Sequence, residues 1–548
     1  MVWQTVISHI PKWNVWFQAF VTLVVPLLVH RLYKSLYRFV DGRVKAGPNN
    51  QSNIHNESGP AERTPISGSF HEDLERVKAA IGANSDVVFR DLTVGKAQVR
   101  AVIISVKGMQ EDKQLNLELT RLLASDAFDA ILGNDEPLNQ RMARLPLESV
   151  GTAETMDVFL PSILYGHMAL LVEGLPAGLL ISPPDAPSRQ LSEPVSEALL
   201  RGSRVGFTEE LSVNTALLRR QGISEHMQIR SCMVGQTIPK ELAIAYIDTI
   251  VNPELLGEVQ ARIEKMTLDY AAESGYIEQL IEDNYFSPFQ QAQNTERPDR
   301  VFAALLEGKI AILLDGTPFV LIVPTTFSML LQSPEDYFER WLPGSLLRML
   351  RFVAAFVALM APALYISFIS FHPGLIPTEL AITIIETRQG VPFPSLIEVM
   401  ILEISIEILR EAGIRLPKPI GPAMGIVGGL VIGDAAVQAG IVSPFLVIVV
   451  AVTAISSFSI PVYSAGITLR LLRFAGMLFA AILGMFGTIL FFLLICCHLA
   501  KLKSFGVPYL TPITPVRLSD WKDLFIRAPM SLMNQRPKMM KTVQKKRK

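Results

Sequence analysis

Three glutamates, Glu398, Glu403 and Glu407, interrupt an apolar run at residues 395–410. At helical spacing Glu403 and Glu407 share a face, while Glu398 points elsewhere. A carboxylate at membrane depth is costly unless water, an opposite charge or a protein interior receives it. Three readings meet that condition: the acids line a cation path when copies of the chain assemble, they pair structurally with Arg410 or Arg415, or they snorkel near an interface. Downstream, Gly421, Gly425, Gly429 and Gly433 recur four residues apart and end beside Asp434. Such a ladder lets two helices approach closely; it is also the pattern of a discontinuous helix at an ion path. Asp434 is then a gate residue or a loop charge. In the more polar half, Arg201 and Arg204 lie in RGSRVGF, before an expected helix N-terminus. That turn could hold an anion, or be a structural loop fixed by arginine salt bridges.

Signals for covalent chemistry are missing. The chain has no phosphate-binding G-x-x-x-x-G-K-[ST], no dinucleotide G-x-G-x-x-G after a strand, no H-E-x-x-H and no G-x-S-x-G. Its eight histidines are scattered, and Cys232, Cys496 and Cys497 contain no C-x-x-C pair, so neither a metal site, a cofactor nor a disulfide framework is expected. Cys496 and Cys497 end an apolar helix as fillers or acylation sites. A formal net charge of -1 gives no footprint for nucleic acid. The reading is not an enzyme.

The elements that must position these residues fall into two regimes. Half of the 548 residues are apolar and the mean hydropathy is +0.34, too high for an ordinary soluble surface. Residues 1–40 form an apolar or amphipathic segment, too short at 15–29 for an easy span and followed by Arg31, Lys34 and Arg38. Residues 41–70 read as a disordered linker. Next comes an α/β region of two subdomains, 71–184 and 185–340. GHMALLVEGLPAGLLIS (166–182) and GKIAILLDGTPFVLIVP (308–324) align without a gap, each two apolar runs around an acidic-Gly-x-Pro turn. Helices are expected at 72–81, 208–220, 252–270 and 277–283, strands at 85–94 and 97–106, and a largely helical stretch at 112–132.

Residues 341–500 read as an α-helical multi-pass membrane domain. Apolar stretches at about 349–370, 395–410, 419–438, 442–461 and 473–499 must be helical in lipid. Arg340, Arg348 and Arg351, then Arg410, Arg415 and Lys418, then Arg470 and Arg473 mark alternate loops as cytoplasmic and place the soluble region there. The basic tail, 501–548, conflicts with this, because five crossings would put it on the other side. One middle segment, the second or the Gly-rich third, is re-entrant, or the tail breaks the rule.

Several strings in one order resemble the GerA family of spore germination proteins: EPVSEALLRGSRVGFTEELSVNTALLRRQ (193–221), NTERPDR (294–300), EGKIAILLDGTPFVLIVPTTF (307–327), PEDYF (334–338), GVPFP (390–394), EILREAGIRLPKPIG (407–421), AGIVSP (439–444), AISSFSIP (454–461) and SFGVPYLTP (504–512). The membrane segments look closest to the A subunit of germinant receptors. SPFQQ (287–291) departs from the family's SPFPQ, and the apolar segment before residue 41 departs from the usual pattern, as a lineage-specific anchor or a wrongly assigned start codon. The resemblance implies a place in the inner spore membrane with the N-terminal domain facing the core. It also implies a transporter-like B subunit and a lipoprotein C subunit as partners, and a homo-oligomeric, nutrient-gated ion channel. A non-conducting scaffold subunit and a secondary transporter are the alternatives.

Overall fold

The computed structural model describes residue 31 and residues 64–94, 98–109, 150–181, 193–194, 196–415, 433–517 and 519–547. Residues 1–63 form a separate unit and, Arg31 apart, lie outside the described residues. So do the stretch expected as helical at 112–132 and the glycines Gly421, Gly425 and Gly429.

Two similar α/β layers make up the soluble region. The first runs α1 (Phe70–Ile81), β1 (Val87–Val94), β2 (Val99–Val106), β3 (Val150–Ala153), α2 (Met156–Tyr165), β4 (Met168–Val172) and β5 (Gly178–Ile181). The second runs α3 (Leu211–Gln221), β6 (Met227–Val234), β7 (Lys240–Ile247), α4 (Pro253–Glu264), α5 (Ser274–Ile281), β8 (Gln293–Thr295), α6 (Pro298–Leu306), β9 (Ile310–Leu314) and β10 (Val320–Val323). Their antiparallel sheets have equivalent orders, β1-β2-β4-β5-β3 and β6-β7-β9-β10-β8. The two hairpins singled out in the sequence occupy the same place in each, Met168 answering to Ile310 and Ile181 to Val323. Gly174 and Gly316 both have φ above +80°, which a side chain would strain.

Local chemistry sets the helix ends. Asn252 caps α4 by accepting the Glu254 N–H, with Pro253 in the first turn. That helix stops at Glu264, short of residue 270, and α3 starts at Leu211, three residues after Thr208. Strands β6 and β7, not anticipated from the sequence, form one side of the second sheet, with β6 at its edge.

The sheets meet through a buried ion pair. Arg219 of α3 donates Nε and Nη2 to the Asp86 carboxylate at 2.6 and 2.9 Å, and Nη1 to the Met227 carbonyl. Residues 71–184 and 185–340 are therefore tied by α3 rather than merely linked.

Four longer helices follow α7 (Phe327–Leu331) and α8 (Glu335–Phe338): α9 (Trp341–Ser370), α11 (Ser395–Arg415), α12 (Pro444–Phe458) and α13 (Tyr463–Lys501), with α10 (Thr378–Arg388) between the first two. Two of them, α9 and α13, are long and apolar enough to cross a membrane. α13 does not run straight. At Gly484 φ is 61° and ψ is −139°, outside any helix. The helix folds back there, bringing the Phe479 and Phe491 rings to 5.5 Å between centroids. The Thr468 hydroxyl donates to the Pro288 carbonyl at 2.6 Å and His498 pairs with the Ser287 hydroxyl at 2.9 Å. A straight helix would separate Thr468 from His498 by about 45 Å. The stretch expected as one crossing at 473–499 is thus part of a hairpin whose two arms both end at the soluble region.

The remaining helices can be oriented from their contacts. α9 leaves the soluble region at Arg348, which pairs with Asp336, and ends at Ser370 beside Ser395. α11 returns, since Arg410 near its end meets Ser457 at the end of α12. α12 starts at the distal end, where Ser443 meets Glu398 and Tyr365. Gly433 lies beside Val447 at that distal end, and most of the Gly-rich stretch expected at 419–438 lies outside the described residues.

The segment 501–548 is not a solvated basic arm. Phe505 and Met540 enter the core under the second sheet, Val543 N–H donates to the Ile250 carbonyl, and Tyr509 donates to the Gln290 carbonyl. Asp523 binds Arg348 at 2.7 Å, and Arg527 donates to the carbonyls of Asp336 and Glu339. The tail therefore packs against the soluble region.

Candidate functional site

The bundle brings Glu403 and Glu407 together with three arginines. Glu403 on α11 is 1% exposed and meets Arg473 on α13, also 1% exposed, at 3.0 Å. Glu407 contacts Arg410 at 2.9 Å, Arg473 at 3.3 Å and Arg470 at 3.7 Å. Arg410 also reaches the Ser457 hydroxyl and stacks over Phe458. Glu403 Oε1 and Arg473 Nε and Nη1 have no hydrogen-bond partner among the described residues. Glu403 and Glu407 share a face that meets Arg410 of the same helix and Arg470 and Arg473 of α13. Three guanidinium groups answer two carboxylates, so within one chain these acids are not an open cation-selective row.

Glu398 belongs elsewhere. It is fully buried at the distal end, paired with Arg388 of α10 and accepting the Ser443 N–H at 3.3 Å. This ties α10, α11 and α12 together and joins none of the other acids. Asp434 is exposed at the same end. Of the glycine ladder, Gly433 alone is described, and a Cβ there would be in ordinary contact with Val447.

Arg201 and Arg204 are both largely exposed and pair with Glu339 at 3.6 Å and Glu193 at 3.3 Å. The N-terminus of α3 is taken by the chain's own anion, since the Leu211 N–H donates to Asp315 at 3.1 Å. The loop is held from below by buried Arg297, which donates to the Ser203 and Glu197 carbonyls, and by Arg300 on Glu197 at 2.7 Å. Arginine hydrogen bonds and salt bridges thus hold this loop, and Arg297 and Arg300 among them come from NTERPDR. Among the described residues no cluster of His, Cys, Asp and Glu could hold a metal ion.

Several titratable groups in the soluble region are displaced, and Glu278 is one of them. Burial, then Glu282 and Glu273, push the Glu278 carboxyl up to about 8. Its folded-state proton is held more tightly than the unfolded chain holds it, so stability falls as pH rises from the ordinary glutamate range toward 8. Glu278→Gln is expected to flatten that slope, measured by thermal unfolding of the full chain in detergent from pH 5 to 9. An unchanged slope would exclude Glu278 as its source.

The model of the Bacillus/Clostridium GerA spore germination protein family matches residues 75–539, spanning the soluble region, the bundle and most of the tail. The chain belongs to the GerA family. Relatives cover nearly their whole length. Spore germination protein GerLA of Bacillus cereus is 40% identical over 87% of this chain and 96% of its own. Spore germination protein A1 of Bacillus subtilis is 40% identical over 86% and 96%, and the uncharacterized membrane protein YfkQ of the same species 42% over 86% and 91%. The crystal structure of the N-terminal domain of the A subunit of the Bacillus megaterium germinant receptor GerK3 aligns over 48% of this chain and 98% of its own, at 29% identity and a TM-score of 0.38. For this GerA-family chain a role in spore germination follows, and nothing in the comparisons indicates catalysis.

Proposed function

We propose that this chain is the A subunit of a nutrient germinant receptor, working with a transporter-like and a lipoprotein subunit in the inner spore membrane. The observation that carries it is a family match running unbroken through both the soluble and the helical parts. In this reading α9, α11, α12 and the two arms of α13 cross the membrane together with the Gly-rich stretch expected at 419–438, which makes six passes. Soluble region and tail then share the cytoplasmic face, which reconciles the basic tail with the positive-inside rule. Apolar side chains on the bundle's outer surface, such as Ile455, Phe458, Ile482 and Phe486, suit lipid.

Ion conduction is the mechanism this reading favours, in a homo-oligomer. The Glu403–Arg473–Glu407 cluster would then be a closed latch between α11 and α13, parted when the receptor opens. A scaffold role is the second reading, supported by the same neutralisation of the acids inside one chain. Deleting the gene and following nutrient-triggered cation release tests the germination role; normal release through this receptor's nutrient would exclude it. Conductance of the reconstituted receptor separates channel from scaffold. For topology, single cysteines placed at Lys541 and at Asp434 are expected to react with impermeant reagents from opposite faces. Labelling from one face would end the six-pass reading.

A further inference from the structure

The loop between α5 and β8 holds two aromatic side chains out of the fold. Tyr285 is 71% and Phe286 83% exposed, their ring centroids 4.4 Å apart. The loop is not loose. The Phe286 N–H donates to the Asn284 side chain, and the Asn284 carbonyl accepts from Gln291 at 2.7 Å. Immediately downstream, Phe289 is buried against Phe327, His498 and Tyr509, and Ser287 and Pro288 are bonded to the two arms of α13. A rigid stalk thus presents a pair of rings sideways from the base of the hairpin, at a cost in exposed apolar area that soluble surfaces seldom carry.

Depth along the hairpin decides what those rings meet. His498 and Thr468 lie about 21 and 24 Å of helix from the tip at Gly484. The hydrocarbon layer is about 30 Å thick. With the tip at the distal interface, the loop that grips His498 and Thr468 lies several ångströms inside the opposite boundary. Phe458 and Tyr463 are exposed at helix ends on this side of the bundle, where aromatic rings with one wet edge are favoured.

We propose that Tyr285 and Phe286 form an aromatic wedge seated in the headgroup–acyl boundary of the leaflet facing the soluble region, its partner being lipid. The wedge anchors the second sheet layer to the bilayer independently of the helices. It rests on the membrane reading above, and its test separates the two. Nitroxides are placed by Phe286→Cys, Glu225→Cys and Ile482→Cys in a cysteine-free full chain, in vesicles of phosphatidylglycerol, phosphatidylethanolamine and cardiolipin. Collision with oxygen and with a water-soluble nickel chelate is then measured. Positions 286 and 482 are expected to lose nickel collisions and gain oxygen collisions relative to exposed Glu225. Nickel access at 286 equal to that at 225, with 482 lipid-like, overturns the wedge and leaves the membrane reading standing. Shielding of 286 from both reagents also overturns it, in favour of a second copy or another protein. A water-like signal at 482 removes the membrane reading itself, and the wedge with it.

Discussion

Arg473→Met is expected to destabilise the bundle by about 3–5 kcal/mol, the cost of leaving a buried carboxylate without its partner. Glu403 is 1% exposed, and its ion-pair partner is Arg473 at 3.0 Å. Once that guanidinium is gone, Glu403 must stay charged in an apolar interior or take up a proton. The cost belongs to the broken pair and not to the site. Removing both ends with Arg473→Met and Glu403→Leu is expected to recover most of the loss, since buried pairs replaced by well-packed apolar groups are often neutral. Arg410 and Arg470 remain to neutralise Glu407. Thermal unfolding of the purified full chain, read as a double-mutant cycle, measures the coupling. A double variant as unstable as the single one, or a single variant without effect, would show that the pair does not hold α11 to α13.

Gly487→Ala and Gly484→Ala are expected to be the most damaging methyl additions in the helical region. At Gly487 a Cβ would fall 2.1 Å from the Phe479 carbonyl oxygen on the opposite arm, which is backbone and cannot step aside. At Gly484 the φ of +61° is strained for any side chain, worth about 1–3 kcal/mol, and the Cβ would also meet the Phe371 ring at 2.8 Å. Forcing the arms apart costs a further 1–3 kcal/mol or so and unpacks Phe491. Gly257→Ala is the control: nothing lies within 4 Å of its Cβ on α4, so helix propensity should make it neutral or stabilising by up to about 1 kcal/mol. Unfolding temperatures ordered otherwise, with Gly487→Ala no worse than Gly257→Ala, would mean α13 is not a tight hairpin.

Patterns local in sequence were legible. The Asn252-Pro253 cap, the strand-forming residues of β1 and β2, and the paired acidic-Gly-x-Pro hairpins all depend on residues within a few positions of one another. Their geometry follows from backbone preference whatever surrounds them. The family resemblance was legible for a related reason, since separated strings in fixed order survive without knowledge of their contacts.

Three features escaped because their causes lie far along the chain. The bend at Gly484 sits in an unbroken apolar run with no proline or charge to mark it. Composition that suits lipid says how a segment is solvated, not where it turns; what supports the turn is Phe371 and His372 from another helix. The tail's lysines and arginines look like a solvated arm, yet Arg527 and Arg536 spend their donors on backbone carbonyls of the soluble region. Helical spacing put Glu403 and Glu407 on one face, but the cations opposite them come from Arg470 and Arg473 on α13. The sequence by itself determined the family, the local elements and which segments are apolar, because those follow from neighbouring residues. Only the tertiary structure decided the hairpin, the packing of the tail against the soluble region and the neutralisation of the acids, because each is a contact between residues remote in the chain.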